Sequence, residues 1–174
     1  MRRRAIIGSQ LAIALAVAGC QPETARKADR AAKDVIEERE DLRQTARDEP
    51  AQVGSASQEL SDAARRFAER KRIRIAALRG EHSVIGTQLK LISTLAEYFP
   101  LTDQGRAGVN NELTALQMRL DEAGNQIEGL VGVGAERWNE RDDAVRDAMG
   151  KLDAARRSAW RALQDAPRPH PNAS

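Results

Sequence analysis

The feature that most constrains the fold is a run of residues whose apolar positions recur at alternating steps of three and four. Such a repeat averages 3.5 residues and places its side chains along one seam of an α-helix, as in coiled coils. An apolar seam needs a second helix to cover it, so the pattern predicts an all-α chain. The run comprises Ile75, Leu78, His82, Ile85, Leu89, Ile92, Ala96 and Phe99, and it extends upstream through Leu60, Ala64, Phe67 and Lys71.

The chain is expected to reverse after this helix. Pro100 disfavours helical backbone at the preceding residue, and Thr102 is a favourable N-cap for the next helix. We therefore predict an elongated antiparallel helical hairpin or coiled coil over residues 57–165, which reverses near 100–103, with three to four helices in the whole chain. The second seam comprises Val109, Leu113, Leu116, Leu120, Ala123, Ile127 and Leu130, then Trp138, Val145, Met149, Leu152, Ala155, Ala159 and Leu163.

Three other stretches flank or interrupt this hairpin. Residues 24–48 lack glycine and proline and predict a thin, alanine-rich amphipathic helix, which a linker at 49–56 separates from the hairpin. Gly129, Gly132 and Gly134 interrupt the second seam, and a bend, a break, a hinge and a close helix contact all stay open there. The proline-rich residues 166–174 predict a disordered tail.

The N-terminal residues have the organisation of an export signal. Arg2, Arg3 and Arg4 precede a largely apolar stretch over residues 5–18. That stretch is shorter than the roughly 20 apolar residues of a membrane span, but it fits the charged and apolar regions of a signal peptide. Cys20 is the chain's only cysteine, and a lone thiol in an exported protein needs an explanation.

The residues around Cys20 resemble the lipobox of bacterial lipoproteins. Val17-Ala18-Gly19-Cys20 offers an aliphatic residue, two small residues and then a cysteine whose thiolate is a soft nucleophile. The resemblance implies cleavage by signal peptidase II after residue 19, lipid attachment at Cys20 with fatty acyl chains such as palmitate, and a short tether at residues 20–23. With Gln21 rather than aspartate after the cysteine, it also implies anchorage at the inner leaflet of the outer membrane, facing the periplasm.

Composition bears on the classes of partner. Without the three signal arginines the chain has 25 Lys+Arg against 26 Asp+Glu, a net charge of about −1, so no nucleic-acid partner is indicated. Five aromatic residues and 31% charged residues are typical of long helices and not of a large globular core. No phosphate-binding loop, metal motif or catalytic triad is recognisable. We therefore expect no enzymatic activity, no catalytic residue, no metal site and no cofactor.

Several residues are candidates for binding. One stretch carries seven basic residues that predict a patch for anionic lipid headgroups or acidic envelope polymers. The alternatives are a solvated helix face and a face that complements an acidic face of a partner helix. The seven residues are Arg65, Arg66, Arg70, Lys71, Arg72, Arg74 and Arg79. His82 is interpreted as a neutral core or register-setting residue, with a pH-sensitive switch as the alternative. His170 has no second histidine near it. Trp138 and Trp160 are expected to fill the core or the space between helices, with docking anchors as the alternative.

Two weaker resemblances concern the C-terminal half. Leu113-Thr114-Ala115-Leu116-Gln117 resembles the LTxxQ signature of small helical periplasmic chaperones and envelope-stress sensors. Residues 111–164 resemble small coiled-coil stress-response proteins in their Leu/Ala seams and spaced tryptophans. The sequence thus favours a lipid-anchored helical protein with a structural or protein-interaction role at the cell envelope, self-associating through its helix seams or contacting other envelope proteins. A chaperone or stress sensor of the LTxxQ type is the alternative.

Overall fold

The computed structural model describes residues 21–169, and within that range the chain is almost entirely α-helical. This confirms the predicted all-α class, with helices packed against one another inside each of the two units described below. Two single 3-10 turns lie at Pro50–Gln52 and Ala135–Arg137. None of the helices described is both long and apolar enough to span a bilayer. The four helices within residues 21–169 are α1 (Gln21–Asp48), α2 (Val53–Tyr98), α3 (Asp103–Gly129) and α4 (Trp138–Asp165).

The breaks between helices lie close to the predicted ones, with two corrections near the N-terminus. Helix α1 begins at Gln21, so the residues 21–23 assigned to a tether are helical. Pro22 is tolerated there because backbone N–H groups of the first turn have no helical partner. The linker is also shorter than the predicted 49–56, since the 3-10 turn begins at Pro50 and α2 already begins at Val53.

The chain divides into two compact units. The first comprises residues 21–78 and Gly132–Asp142, which contain α1, the N-terminal part of α2 and the beginning of α4. Its core is rich in alanine around a few larger side chains, so its segments can approach one another closely. The buried residues include Ala25, Ala28, Ala32 and Val35 of α1, Ala63, Phe67, Ile75 and Leu78 of α2, and Trp138 of α4.

The second unit comprises Arg79–Val131 and residues 143–169. Here α2 and α3 run antiparallel, because Arg79 pairs with Glu128 while the reversal lies at residues 99–102. Helix α4 runs parallel to α2, as Arg156 approaches Gln88 and Arg168 lies over Phe99. The buried core includes Ile85, Ile92, Val109, Leu116, Ala123, Ile127, Val145, Leu152, Ala159 and Leu163.

The reversal between α2 and α3 is built as the sequence predicts. Thr102 is the N-cap of α3, and its hydroxyl accepts a hydrogen bond from the Gly105 backbone N–H at 3.1 Å. This bond satisfies one of the four N–H groups that a helix start leaves unpaired. The glycine-rich interruption is a break rather than a bend, since α3 ends at Gly129 and α4 begins at Trp138.

The first residues of the proposed disordered tail are packed, which corrects that prediction for residues 166–168. Ala166 is buried, and the Pro167 carbonyl accepts the Thr102 N–H at 3.0 Å. The Arg168 guanidinium lies 5.1 Å from the centre of the Phe99 ring. These contacts fix the chain although its composition is typical of disorder. Residues 170–174, with His170, lie outside the described range.

Candidate functional site

The lipid attachment proposed at Cys20 lies outside the described residues, but the structure describes the segment that follows it. Cys20 directly precedes the first residue of α1 in the sequence. In the first turn, Glu23 pairs with Lys27 at 2.5 Å. The hydrogen bond from Lys27 and, to a smaller degree, the charge of Lys27 lower the pKa of Glu23 from its ordinary value. A carboxylate in the first turn also suits the positive end of the helix dipole.

A basic row on α1 escaped the sequence analysis. Arg26, Arg30 and Lys33 follow at steps of four and three, so they share one face of the helix. All three side chains are exposed, opposite the buried Ala28 and Val35. We call these three residues the α1 basic row. Their spacing was available in the sequence, but the basic stretch at 65–79 is denser and drew the prediction instead.

The basic stretch at 65–79 does not form a single exposed patch. Arg74 is only 1% exposed and lies in the core of the first unit, which excludes it from any surface. Lys71 is half-buried, and its ammonium donates to the Val133 carbonyl at 2.7 Å and lies 5.8 Å from the centre of the Phe67 ring. Removal from water lowers the pKa of Lys71. Both residues therefore make contacts inside the first unit and do not contribute to an exposed basic patch.

The remaining residues of the stretch divide into paired and unpaired arginines. Arg65 pairs with Asp62 at 2.9 Å, and Arg79 pairs with Glu128 through two hydrogen bonds at 2.9 and 2.7 Å. The three that stay exposed, with no ion pair among residues 21–169, are Arg66, Arg70 and Arg72. Of the seven predicted patch residues, these three alone are both exposed and without an ion-pair partner in the described part of the chain.

The interior of the first unit holds a polar cluster that the sequence analysis did not predict. Arg74 Nε donates to Asp142 Oδ1 at 3.0 Å, and both side chains are fully buried. Trp138, one helical turn before Asp142, is also fully buried, and its indole N–H donates to Asp29 Oδ1 at 3.1 Å. Phe67 meets the indole edge-on, with ring centres 5.5 Å apart. Burying charged groups costs free energy unless they are paired, and these are.

The expected roles of the tryptophans and His82 can be compared with these positions. Trp138 is a core residue as predicted, whereas Trp160 is half-buried. His82 is half-buried on α2, and its Nε2 donates to the Leu120 carbonyl of α3 at 2.9 Å. Gly124 makes room for the ring, because a Cβ there would lie 3.1 Å from His82 Nε2. The ring thus tethers two helices, in keeping with the register-setting interpretation.

The LTxxQ residues lie in the middle of α3. Leu116 is buried, the Thr114 hydroxyl donates to the Asn110 carbonyl at 2.9 Å, and Gln117 donates to Asp121 at 2.8 Å. These polar contacts stay within α3 itself. Across residues 21–169, no group of three or more His, Cys, Asp or Glu side chains is placed to hold a metal ion.

Comparison with known proteins adds no relative. No protein-family model matches the chain, and neither the curated proteins nor the solved structures contain a match.

Proposed function

We propose that the protein is a lipid-anchored lipoprotein of the cell envelope whose helices have a structural or protein-interaction role. Acylation at Cys20 would hold the chain at the periplasmic face of a bilayer, with the inner leaflet of the outer membrane as the proposed site. The observation that carries the proposal is Cys20 itself, placed after an apolar stretch and the residues Val17-Ala18-Gly19. Two or three acyl chains give lasting anchorage, where a single chain does not.

The geometry of α1 supports this proposal. Because the helix begins at the residue after Cys20, the acylated residue would have no flexible spacer behind it. The first turns of α1 would then lie at the headgroups. The α1 basic row begins at Arg26, the exposed positive charge nearest to Cys20 along the described helix. Each basic side chain near an anionic leaflet contributes about 1 kcal/mol of attraction.

Mass spectrometry of the protein from native membranes tests the anchor. We expect a chain that begins at Cys20 and carries diacylglyceryl and N-acyl groups. A chain that retains residues 1–19, or one with an unmodified thiol, would refute the proposal. A Cys20→Ser variant should remain unacylated and should fail to float with membranes.

Vesicle flotation tests the contribution of the α1 basic row. The triple variant R26Q/R30Q/K33Q should lose affinity for vesicles that contain phosphatidylglycerol and keep its affinity for pure phosphatidylcholine. The matched control is R66Q/R70Q/R72Q, which removes the same charge from exposed positions of α2. Equal losses in the two triple variants would mean that the membrane senses net charge rather than the position of the row. In-cell crosslinking with the anchor intact would then identify envelope partners.

A further inference from the structure

Helix α2 presents a second seam on its solvent side, distinct from the one buried in the core. Val84, Leu91 and Tyr98 are spaced by seven residues, and all three are exposed, Tyr98 by 85%. Thr87 and Thr94 alternate with them at steps of three and four. These five residues, here called the α2 row, repeat as the a and d positions of a heptad. The row lies entirely within the second unit and extends about 21 Å along the helix.

The two threonines make this row more apolar than its composition indicates. The Thr87 hydroxyl donates to the Ser83 carbonyl at 3.1 Å, and the Thr94 hydroxyl donates to the Lys90 carbonyl at 3.0 Å. Each hydroxyl is thus satisfied within its own helix. The γ-methyl groups remain to contact another surface without leaving a donor unpaired. Leu95, half-buried beside the row, widens its apolar edge.

The charges beside the row indicate what covers it. Lys90 and Glu97 occupy the same edge of the row, one heptad apart. Both are exposed, and neither has an ion-pair partner within the described chain. If a second copy of α2 lies antiparallel on the row, Lys90 of each copy meets Glu97 of the other, and two ion pairs form. In a parallel pairing, the edge of one copy that carries Lys90 and Glu97 meets the edge of the other copy that carries Gln88 and Leu95. These residues form no ion pair.

We infer that the α2 row is a self-association surface, on which two copies of the chain pair through antiparallel α2 helices. In this register Leu91 packs against Thr94 of the second copy, and Tyr98 packs against Thr87. Five residues on each side form a smaller interface than permanent dimers have, so the pair is weak in dilute solution. The strength of pairing in the cell rests on the proposed lipid anchor, because confinement to one membrane raises the local concentration of the copies.

Energy transfer between labelled copies in phosphatidylcholine vesicles tests this inference. The full lipidated chain carries donor or acceptor dye at M118C, an exposed position on α3 that is not part of the row. We expect transfer above the level of random distribution. K90E alone and E97K alone should each weaken association about tenfold, because two attractions per dimer become repulsions. The double variant K90E/E97K should restore it.

The controls separate this inference from the proposed function. R161E changes an exposed arginine of α4 by the same charge and should leave transfer unchanged. Transfer at the random level in the parent, or a double variant as weak as the singles, would overturn the inference. If dye is found on Cys20, the proposed lipid anchor has failed instead. The same variants are then measured in solution on a C20S background. Energy transfer that rises with protein concentration, and that K90E/E97K restores, is still expected there.

Discussion

Arg74 of α2 and Asp142 of α4 form an ion pair at 3.0 Å with exposed fractions of 1% and 0%. Such a pair lowers the free energy of the folded state little overall, because removing two charges from water costs about as much as their attraction returns. Its value lies in specificity. An arginine on one helix face can be buried only where a carboxylate lies opposite, so the pair disfavours helix registers that separate them.

Removing one member of this pair should be far more damaging than removing both. Asp142→Leu leaves the Arg74 charge buried without its carboxylate, and we expect the free energy of unfolding to fall by about 3–5 kcal/mol. R74M/D142L removes both charges and should recover most of that loss. Urea unfolding followed by circular dichroism measures both values. Asp62→Ala breaks the exposed pair with Arg65 and serves as control, with an expected cost below about 1 kcal/mol. A double variant as unstable as D142L would contradict the argument.

The tryptophan beside this pair should dominate the packing of the first unit. Trp138→Ala removes the ring that Phe67 contacts and leaves a cavity, at an expected cost of about 3–5 kcal/mol. Trp160→Ala is the matched control and should lower the free energy of unfolding less, because Trp160 is half-buried.

The environments of the two tryptophans can also be distinguished by fluorescence. A Trp160→Phe variant leaves only Trp138, so its emission should be blue-shifted relative to a Trp138→Phe variant.

Much of the fold follows from sequence periodicity alone. Steps of three and four along α2 and α3 predict the seams, and Pro100 with Thr102 predicts the reversal. The spacing of apolar residues does not identify the buried position where two adjacent residues are chemically equal. The predicted seam passes through Ala64, but Ala63 is buried and Ala64 is exposed. From Leu60, either alanine leads to Phe67 by steps of three and four, so only the packing of the neighbouring helix decides.

The candidate site was harder to predict, because net charge along a sequence does not show where each side chain lies. Arg74 lies seven residues after Phe67 and therefore on the buried seam, while Asp142 lies four residues after Trp138. Opposite charges on two seams are a signal of a buried pair, but no sequence rule aligns two helices separated by some seventy residues. The sequence therefore predicted one basic surface for the stretch at 65–79, although some of its side chains are buried and others are exposed to solvent.

The Arg79–Glu128 pair predicts a pH dependence of known sign. The hydrogen bond from Arg79 and, to a smaller degree, its charge lower the pKa of Glu128 below the ordinary 4.5, although burial opposes this. A carboxyl group whose pKa is lower in the folded than in the unfolded protein stabilises the folded state at pH values above its unfolded-state pKa. This contribution is lost as the pH falls through the folded-state pKa. Carboxyl NMR titration should show the Glu128 pKa rising toward 4.5 in an Arg79→Gln variant. Glu23, whose pKa is lowered by Lys27 and not by Arg79, is the control, and its pKa should be the same in both proteins.

The contact between the tail and the α2–α3 reversal can be tested at a single glycine. A Cβ added at Gly105 would lie 2.9 Å from the Pro167 carbonyl oxygen and 3.2 Å from its ring. Gly105→Ala should therefore displace residues 166–168, break the hydrogen bond from the Thr102 N–H and expose the tail to carboxypeptidase. Gly108→Ala, three residues along α3, meets nothing within 4 Å and should stabilise the helix by about 0.5–1 kcal/mol. Limited proteolysis with thermal melts of both variants gives the comparison. If G105A proves as protease-resistant and as stable as G108A, the tail does not hold the reversal together.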